Sequence, residues 1–293
     1  MRPLVLAAAL LSALAVTGSA QAYGWPIKPF DQPHAIRGYY DDPRVDYARG
    51  EHSISFHFGV DISAPDGTPV YAVATGTAFP RKYSIAVGTP EGREFGYWHV
   101  IPAVKHGAWV SLHELIGWVE PGQGHVHLAE SYDGVYTNPL RRGGLAPYFD
   151  NTTPVISSVE IDSGGLHVDL AHVAGVVNLI TEAYDTPPIA PPPPYAHTRV
   201  APAYIRWRLI GATGWRTAVD FRHELLPQWL FWTVYAPGTV QNRPFRPGRY
   251  RFYLLRGFDT REYQNGYYRL EVRVSDTRGN VTTSVLPFRI DNL

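Results

Sequence analysis

The chain has 293 residues, with 26 Lys+Arg balanced by 26 Asp+Glu, and it contains no cysteine. The balance excludes a global field that would gather nucleic acid or an anionic membrane surface, and the missing thiols exclude disulfides and thiolate metal sites. Any metal must therefore be held by carboxylates and by some of the 12 histidines. The 27 glycines and 26 prolines, together with abundant Tyr, Trp and Val and few long helix-forming runs, point to a mainly β protein rich in turns.

The chain opens with Arg2, an apolar run from Leu4 to Val16, and small residues ending in Ala20-Gln21-Ala22. That order predicts a secretory signal peptide over residues 1–22, too short to span a bilayer, with the mature chain starting near Tyr23. The protein is expected outside the cytosol, periplasmic or extracellular, with no integral membrane association. The roughly 270 remaining residues suit two domains, read here as 23–150 and 151–293.

In the first unit short β-rich runs recur at His52–Phe58, Pro69–Ala74, Tyr83–Val87, Glu94–Ile101, Ala108–Val110 and Gly124–Ala129. The turn Thr89-Pro90-Glu91-Gly92 is expected to join two of them as a hairpin and to place His99 near a strand end. From about Asp150 longer runs follow: Val155–Ile161, Leu166–Leu170, Val176–Tyr184, Ala203–Leu209, Trp229–Tyr235, Gly248–Leu255, Tyr267–Ser275 and Val281–Ile290. Their spacing predicts a β-sandwich. Alternation is clearest where Tyr268, Leu270, Val272 and Val274 share one face and Arg269, Glu271 and Arg273 the other. Pro187–Pro194 lacks the donors of a ladder strand and reads first as an exposed loop within this sandwich, with a polyproline linker between two small domains as the other reading. The aromatic residues Trp207, Trp215, Trp229, Phe231, Trp232, Tyr235, Tyr250 and Phe252 read chiefly as sandwich core, with a sugar-stacking platform as the other reading.

The chemistry lies in FHFGVDISAPDGTPVYA, with His57 and Asp61, in YWHV, with His99, and in GHVHLAE, with His125 and His127. Two imidazoles and a carboxylate fill three positions of a tetrahedral zinc ion and leave the fourth for water. On a straight strand residues 57 and 61 lie ~13 Å apart, so the backbone must bend between them, and Gly59 permits the bend. His125 and His127 project from one face ~6.6 Å apart, which suits one on the metal and its neighbour facing substrate. The decoy His113-Glu114 lacks the second histidine of an H-E-x-x-H helix, since position 117 is Gly. His34, His52 and His106, and His167, His172, His197 and His223 in the second unit, have no comparable partners in the sequence.

FHFGVDISAPDGTPVYAVATGTA resembles the metal-binding signature of the lysostaphin-like, or LytM-type, zinc peptidases, in which H-x-G-x-D-I precedes A-P-x-G-T-P-V-x-A. YWHVIPAVKHGAWVSLHELIGWV is similar to that family's Y-x-H-L segment and its continuation, and GHVHLAE to its closing H-L-H-F-E. The resemblance spans about residues 25–135. It implies an antiparallel β-sheet peptidase domain in which His57, Asp61 and His127 ligate Zn2+ while His99 and His125 assist catalysis. It also implies substrates among the peptide stems or cross-bridges of peptidoglycan. The glycine usual before I-G is replaced near His113, the approach to the last motif is shortened to Glu120–Gly124, and Ala129 stands in place of Phe, all changes in the groove walls. Residues 151–293, with the Asp276-Thr-Arg-Gly-Asn280 turn, resemble immunoglobulin-like accessory domains of bacteria.

The expected activity is zinc-dependent peptide-bond hydrolysis in which one of His99 and His125 takes the water's proton and the other hydrogen-bonds the developing oxyanion. An ordinary imidazole in the base role makes activity fall on acidification near pH ~6.5. Two other readings are a catalytically weak wall-binding or regulatory module and a secreted protease acting on proteins.

Overall fold

The computed structural model describes residues 22–45 and 54–292, so the expected leader, apart from Ala22, and His52 and Ser53 of the first expected strand lie outside the described residues. The chain is mainly β and antiparallel throughout its named sheets. Among the described residues no helix is long and apolar enough to cross a membrane.

The first unit is built on an eight-stranded sheet whose order runs Ile36–Gly38, Val60–Ser63, His125–Tyr132, Arg93–Trp98, Ser84–Gly88, Gly76–Arg81, Trp109–Val110, with Val135–Thr137 also paired to His125–Tyr132. A three-stranded sheet of Pro69–Tyr71, Leu115–Val119 and Val100–Pro102 accompanies it. The Thr89–Gly92 turn joins Ser84–Gly88 to Arg93–Trp98 as the sequence predicts, with Gly92 at φ 83° and its N–H on the Thr89 carbonyl. The period-2 pattern buries Val60 and Ile62, Val126 and Leu128, and Phe95 and Tyr97 in one core. That burial fixes the register, because a one-residue slip would turn each set toward the wrong face. In the register observed, His127 stands opposite Asp61 on one side and Trp98 on the other.

The second half forms two four-stranded sheets. One has the order Leu166–His167, Val155–Ser163, Val176–Tyr184, Arg251–Asp259, and the other Arg216–Asp220, Tyr204–Leu209, Gly266–Ser275, Val281–Ile290. Leu270, Val272 and Val274 are buried and their neighbours Arg269, Glu271 and Arg273 are not. Trp207, Phe231, Tyr235, Tyr250 and Phe252 fill the shared core, as expected of most of the aromatic set. Trp229 and Trp232 are exposed, and Trp215 is half-buried with the Arg206, Arg208 and Arg273 guanidinium groups over its ring.

Several elements depart from the sequence reading. Trp229–Tyr235 is not a strand: Gln228–Leu230 is a 3-10 turn and Phe231–Val234 a short helix. Phe231 and Val234, three apart, are the residues it buries, a helical period that the run of aromatics concealed. Gly248 is held by the Asn242 side chain instead of a ladder, so that strand begins at Arg251. Ile36–Gly38, Val60–Ser63, Gly76–Arg81, Leu115–Val119 and Arg216–Asp220 are strands that the reading omitted. The proline-rich segment is a loop between Val176–Tyr184 and Tyr204–Leu209, closed by the Asp185–Val200 bridge.

The two halves interlock. Val45, Ile54 and Phe56, from the first unit, are buried in the sandwich core, and Val200 is buried in the core of the first unit. The Tyr235 hydroxyl donates to the Asp41 carbonyl at 2.7 Å, the Ala201 N–H to the Asp42 carboxylate at 2.6 Å, and the Gln228 amide to the Ile54 carbonyl at 2.6 Å. Phe56 meets Phe221, Phe231 and Tyr235 ring to ring. Phe56→Ala removes those contacts one residue before His57, and is expected to cost ~3–5 kcal/mol of stability. Denaturant unfolding of the purified variant checks it.

Candidate metal centre

Three side chains converge because of the register just described. Val60–Ser63 carries Asp61 beside its paired partner His127. His57 reaches them because the chain leaves strand geometry at His57–Gly59, the bend expected from the glycine. A Cβ on Gly59 would stand 2.4 Å from the Leu128 carbonyl oxygen and 2.7 Å from His127 Nε2, so no other residue fits without displacing the histidine.

His57 Nε2, Asp61 Oδ1 and His127 Nδ1 form a triangle with edges of 2.8, 3.0 and 3.1 Å. Tetrahedral zinc with ligands at about 2.0–2.2 Å places ligand atoms ~3.3–3.5 Å apart, close to these edges. His57 Nδ1 faces the Tyr39 carbonyl at 2.7 Å and must carry its proton there, which leaves Nε2 as a bare lone pair. Two buried ring nitrogens and the oxygen of a partly buried carboxylate then share at most one proton among three electron-rich atoms. A cation is what that donor set lacks, and its nitrogen and oxygen chemistry fits zinc.

The electrostatics keep the set in its ligand form. Burial drives His127 down to about 4 and also lowers His57, with Arg44 adding to the effect. Burial alone would raise Asp61, but His57, Arg44 and His125 more than reverse it and hold the carboxyl well below the usual range. Arg44 supplies the direct contact, its guanidinium giving a 2.5 Å hydrogen bond to Asp61 Oδ2 and so leaving Oδ1 for the triangle.

His99 and His125 stand at the edge of this triangle, with ring centroids 4.4 Å apart. His99 follows directly on the Arg93–Trp98 strand, at φ 63°, a left-handed conformation that takes its side chain out of the strand's alternation. His125 Nε2 lies 3.6 Å from Asp61 Oδ1. Burial lowers both rings, His125 to about 4. The ordinary histidine value used in the sequence reading therefore does not describe this pair.

All five sequence-derived residues line one groove of about 350 Å³, together with Arg37, Arg44, Phe58, Trp98, Tyr195, Gln241 and Asn242. His127 sits between Phe58 and Trp98, with ring centroids at 4.5 and 5.0 Å. Arg37 and Arg44 escape sequence reasoning, because nothing in their spacing marks them as partners of the motif. Tyr195 arrives at the end of the proline-rich loop and lies 4.5 Å from the Arg37 guanidinium. His113 is elsewhere, exposed in a turn and stacked on Phe30 at 3.8 Å.

Burial of neutral imidazoles has a direct spectroscopic consequence. In metal-free protein His125 and His127 should stay neutral as pH falls through 6.5 and take up protons only near 4, the sign expected when the charged form is the one burial penalises. Ring nitrogen chemical shifts followed from pH 7 to 4 check this. A second check is Gly59→Ala, which should reduce zinc retained after dialysis by at least ~10-fold, the scale of disturbing a ligand's support.

No protein-family model and no curated protein matches the chain. Solved structures with partial likeness include the catalytic domain of the prophage-encoded M23 protein EnpA from Enterococcus faecalis, at 22% identity over 43% of this chain and 100% of that one, with TM-score 0.32. The deep-sea M23 metalloprotease pseudoalterin is 16% identical over 50% of this chain and 85% of that one, with TM-score 0.30. A zinc containing peptidase from Vibrio cholerae is 21% identical over 39% of this chain and 37% of that one, with TM-score 0.32.

Proposed function

We propose that the chain is a secreted zinc metallo-endopeptidase of the LytM type that hydrolyses peptide bonds in peptidoglycan stems or cross-bridges. Residues 23–150 are the peptidase unit and 151–293 an immunoglobulin-like accessory domain. The observation that carries the reading is the close triangle of His57, Asp61 and His127 with His99 and His125 at its open edge. The order of strands in the two facing sheets supports the immunoglobulin-like assignment, and the signal-like first 22 residues support export.

Zinc held by His57, Asp61 and His127 supplies Lewis acidity and a water of lowered pKa. The chain's own residues divide the proton work. Two groups compete for His125 Nδ1, the Gln123 carbonyl at 2.8 Å and the Arg37 guanidinium at 2.6 Å. Arg37 is permanently protonated and already donates to the Gln123 carbonyl at 2.9 Å, so Nδ1 is the acceptor and Nε2 carries the hydrogen. His125 Nε2–H is then the donor to the carbonyl oxygen as it gains charge. His99, neutral and half-buried in the groove, takes the proton as water adds to the carbonyl carbon and returns it to the amine as the C–N bond breaks.

Purified mature protein incubated with sacculi should release peptide-cleaved muropeptides, and a zinc chelator should stop the release. Cleavage of a denatured protein with intact sacculi would replace the wall substrate by proteins, and binding without products would leave only a wall-binding module. His57→Ala should lose zinc and turnover together. His125→Ala should keep most zinc and lose ~10²–10³-fold in kcat, the range for one donor to a developing oxyanion. Full turnover in His125→Ala would contradict the role given to that residue.

A further inference from the structure

Away from the groove, three carboxylates meet in the interior. Asp150 lies on the connection between the two halves, Asp185 follows the Val176–Tyr184 strand of one sandwich sheet, and Asp276 follows the Gly266–Ser275 strand of the other. One oxygen from each lies within 4.8 Å of the other two, and all three residues are buried, Asp185 with 1% of its surface exposed. We propose that Asp150, Asp185 and Asp276 form a calcium site that joins the two sheets of the sandwich to the connection from the first unit.

Most of these oxygens are held by the chain. Asp276 Oδ1 accepts the backbone N–H groups of Arg278, Gly279 and Asn280, and its Oδ2 accepts the Asn280 amide. Asp150 accepts from the Thr152 N–H and hydroxyl and from the Tyr148 hydroxyl. Asp185 Oδ1 accepts the Thr186 N–H. Asp185 Oδ2 is different: it is shut away from solvent and has no hydrogen-bond partner. A buried carboxylate oxygen left unpaired among two other carboxylates is costly, and a cation removes the cost. None of the three makes an ion pair with Lys or Arg among the described residues. The Arg278 guanidinium gives its hydrogen bonds to the Tyr148 and Leu140 carbonyls.

The donors decide the cation. They are all oxygen, with no imidazole or sulfur, which selects a hard ion. Calcium takes oxygen ligands at about 2.3–2.6 Å in a flexible shell that mixes carboxylates with neutral oxygens. Magnesium demands a near-ideal octahedron at about 2.0–2.1 Å, whereas calcium tolerates the irregular placement of carboxylates that the backbone already holds. The Thr152 hydroxyl, between Asp150 and Asp185, adds a neutral oxygen at the same place.

The test uses the full mature chain, stripped with chelator and then loaded with one equivalent of zinc so that the groove site is filled. Calorimetric titration with calcium should show about one ion per chain and a rise in unfolding temperature, and terbium should give luminescence sensitised by Tyr148 that calcium displaces and further zinc does not. Asp185→Asn and Asp276→Asn should each weaken calcium binding by at least ~10-fold, while Asp61→Asn leaves it unchanged. Absence of calcium binding to folded wild type at millimolar concentration overturns the site, as does undiminished binding in both substituted chains. If a substituted chain fails to fold, the wild-type displacement decides: terbium that calcium cannot displace also overturns it.

Discussion

The constraint on which the rest of the molecule depends is electrostatic: three lone-pair-bearing atoms are held within 3.1 Å of one another on the wall of a groove. Left to themselves they would separate or take up protons. They are kept together by the register that sets His127 opposite Asp61, by the bend at Gly59, and by the Tyr39 carbonyl that fixes the His57 tautomer. Each is a backbone feature of a sheet whose other face is the apolar core. The cost of crowding these atoms is therefore offset by burial of Val60, Ile62, Val126 and Leu128 on the same strands.

The two arginines give the site its asymmetry. Arg44 takes one oxygen of Asp61 and Arg37 one nitrogen of His125, so each neighbouring group offers the groove a single remaining atom. Arg37 reaches both the Gln123 carbonyl and His125 through one terminal nitrogen while its planar guanidinium lies over Tyr195, a stacked placement that suits arginine better than lysine. Their positive charge also opposes protonation of the histidines, adding to what burial does. Neutral imidazoles at moderately acid pH are thus a property of the whole pocket.

Much of this was legible in the sequence. The H-x-x-x-D spacing with its central glycine, the strand-end position of His99, and the alternation in Tyr268–Val274 all express short-range rules of strand geometry, and the coordinates follow them. What could not be read is what long-range pairing decides. Arg37, Arg44 and Tyr195 reach the groove because the sheet edge at Ile36–Gly38 and a loop some 150 residues later happen to meet there, and no local pattern marks that meeting. The short helix at Phe231–Val234 was missed for another reason: four aromatics in seven residues satisfy a strand pattern as readily as a helical one.

The halves of the chain are coupled more closely than a boundary near residue 150 suggests. A chain ending there would leave Val45, Ile54 and Phe56 without the core that buries them, directly before His57. A second route runs through hydrogen bonds: Asp150 accepts from Tyr148, whose hydroxyl meets that of Tyr39, and the Tyr39 carbonyl accepts from His57. The acidic cluster and the triangle of His57, Asp61 and His127 are thus the two ends of one chain of contacts. Whatever fixes Asp150 therefore also steadies the His57 ring. On this view the sandwich acts on the groove in two ways, by supplying Tyr195, Gln241 and Asn242 to its wall and by holding from behind the carbonyl that orients His57.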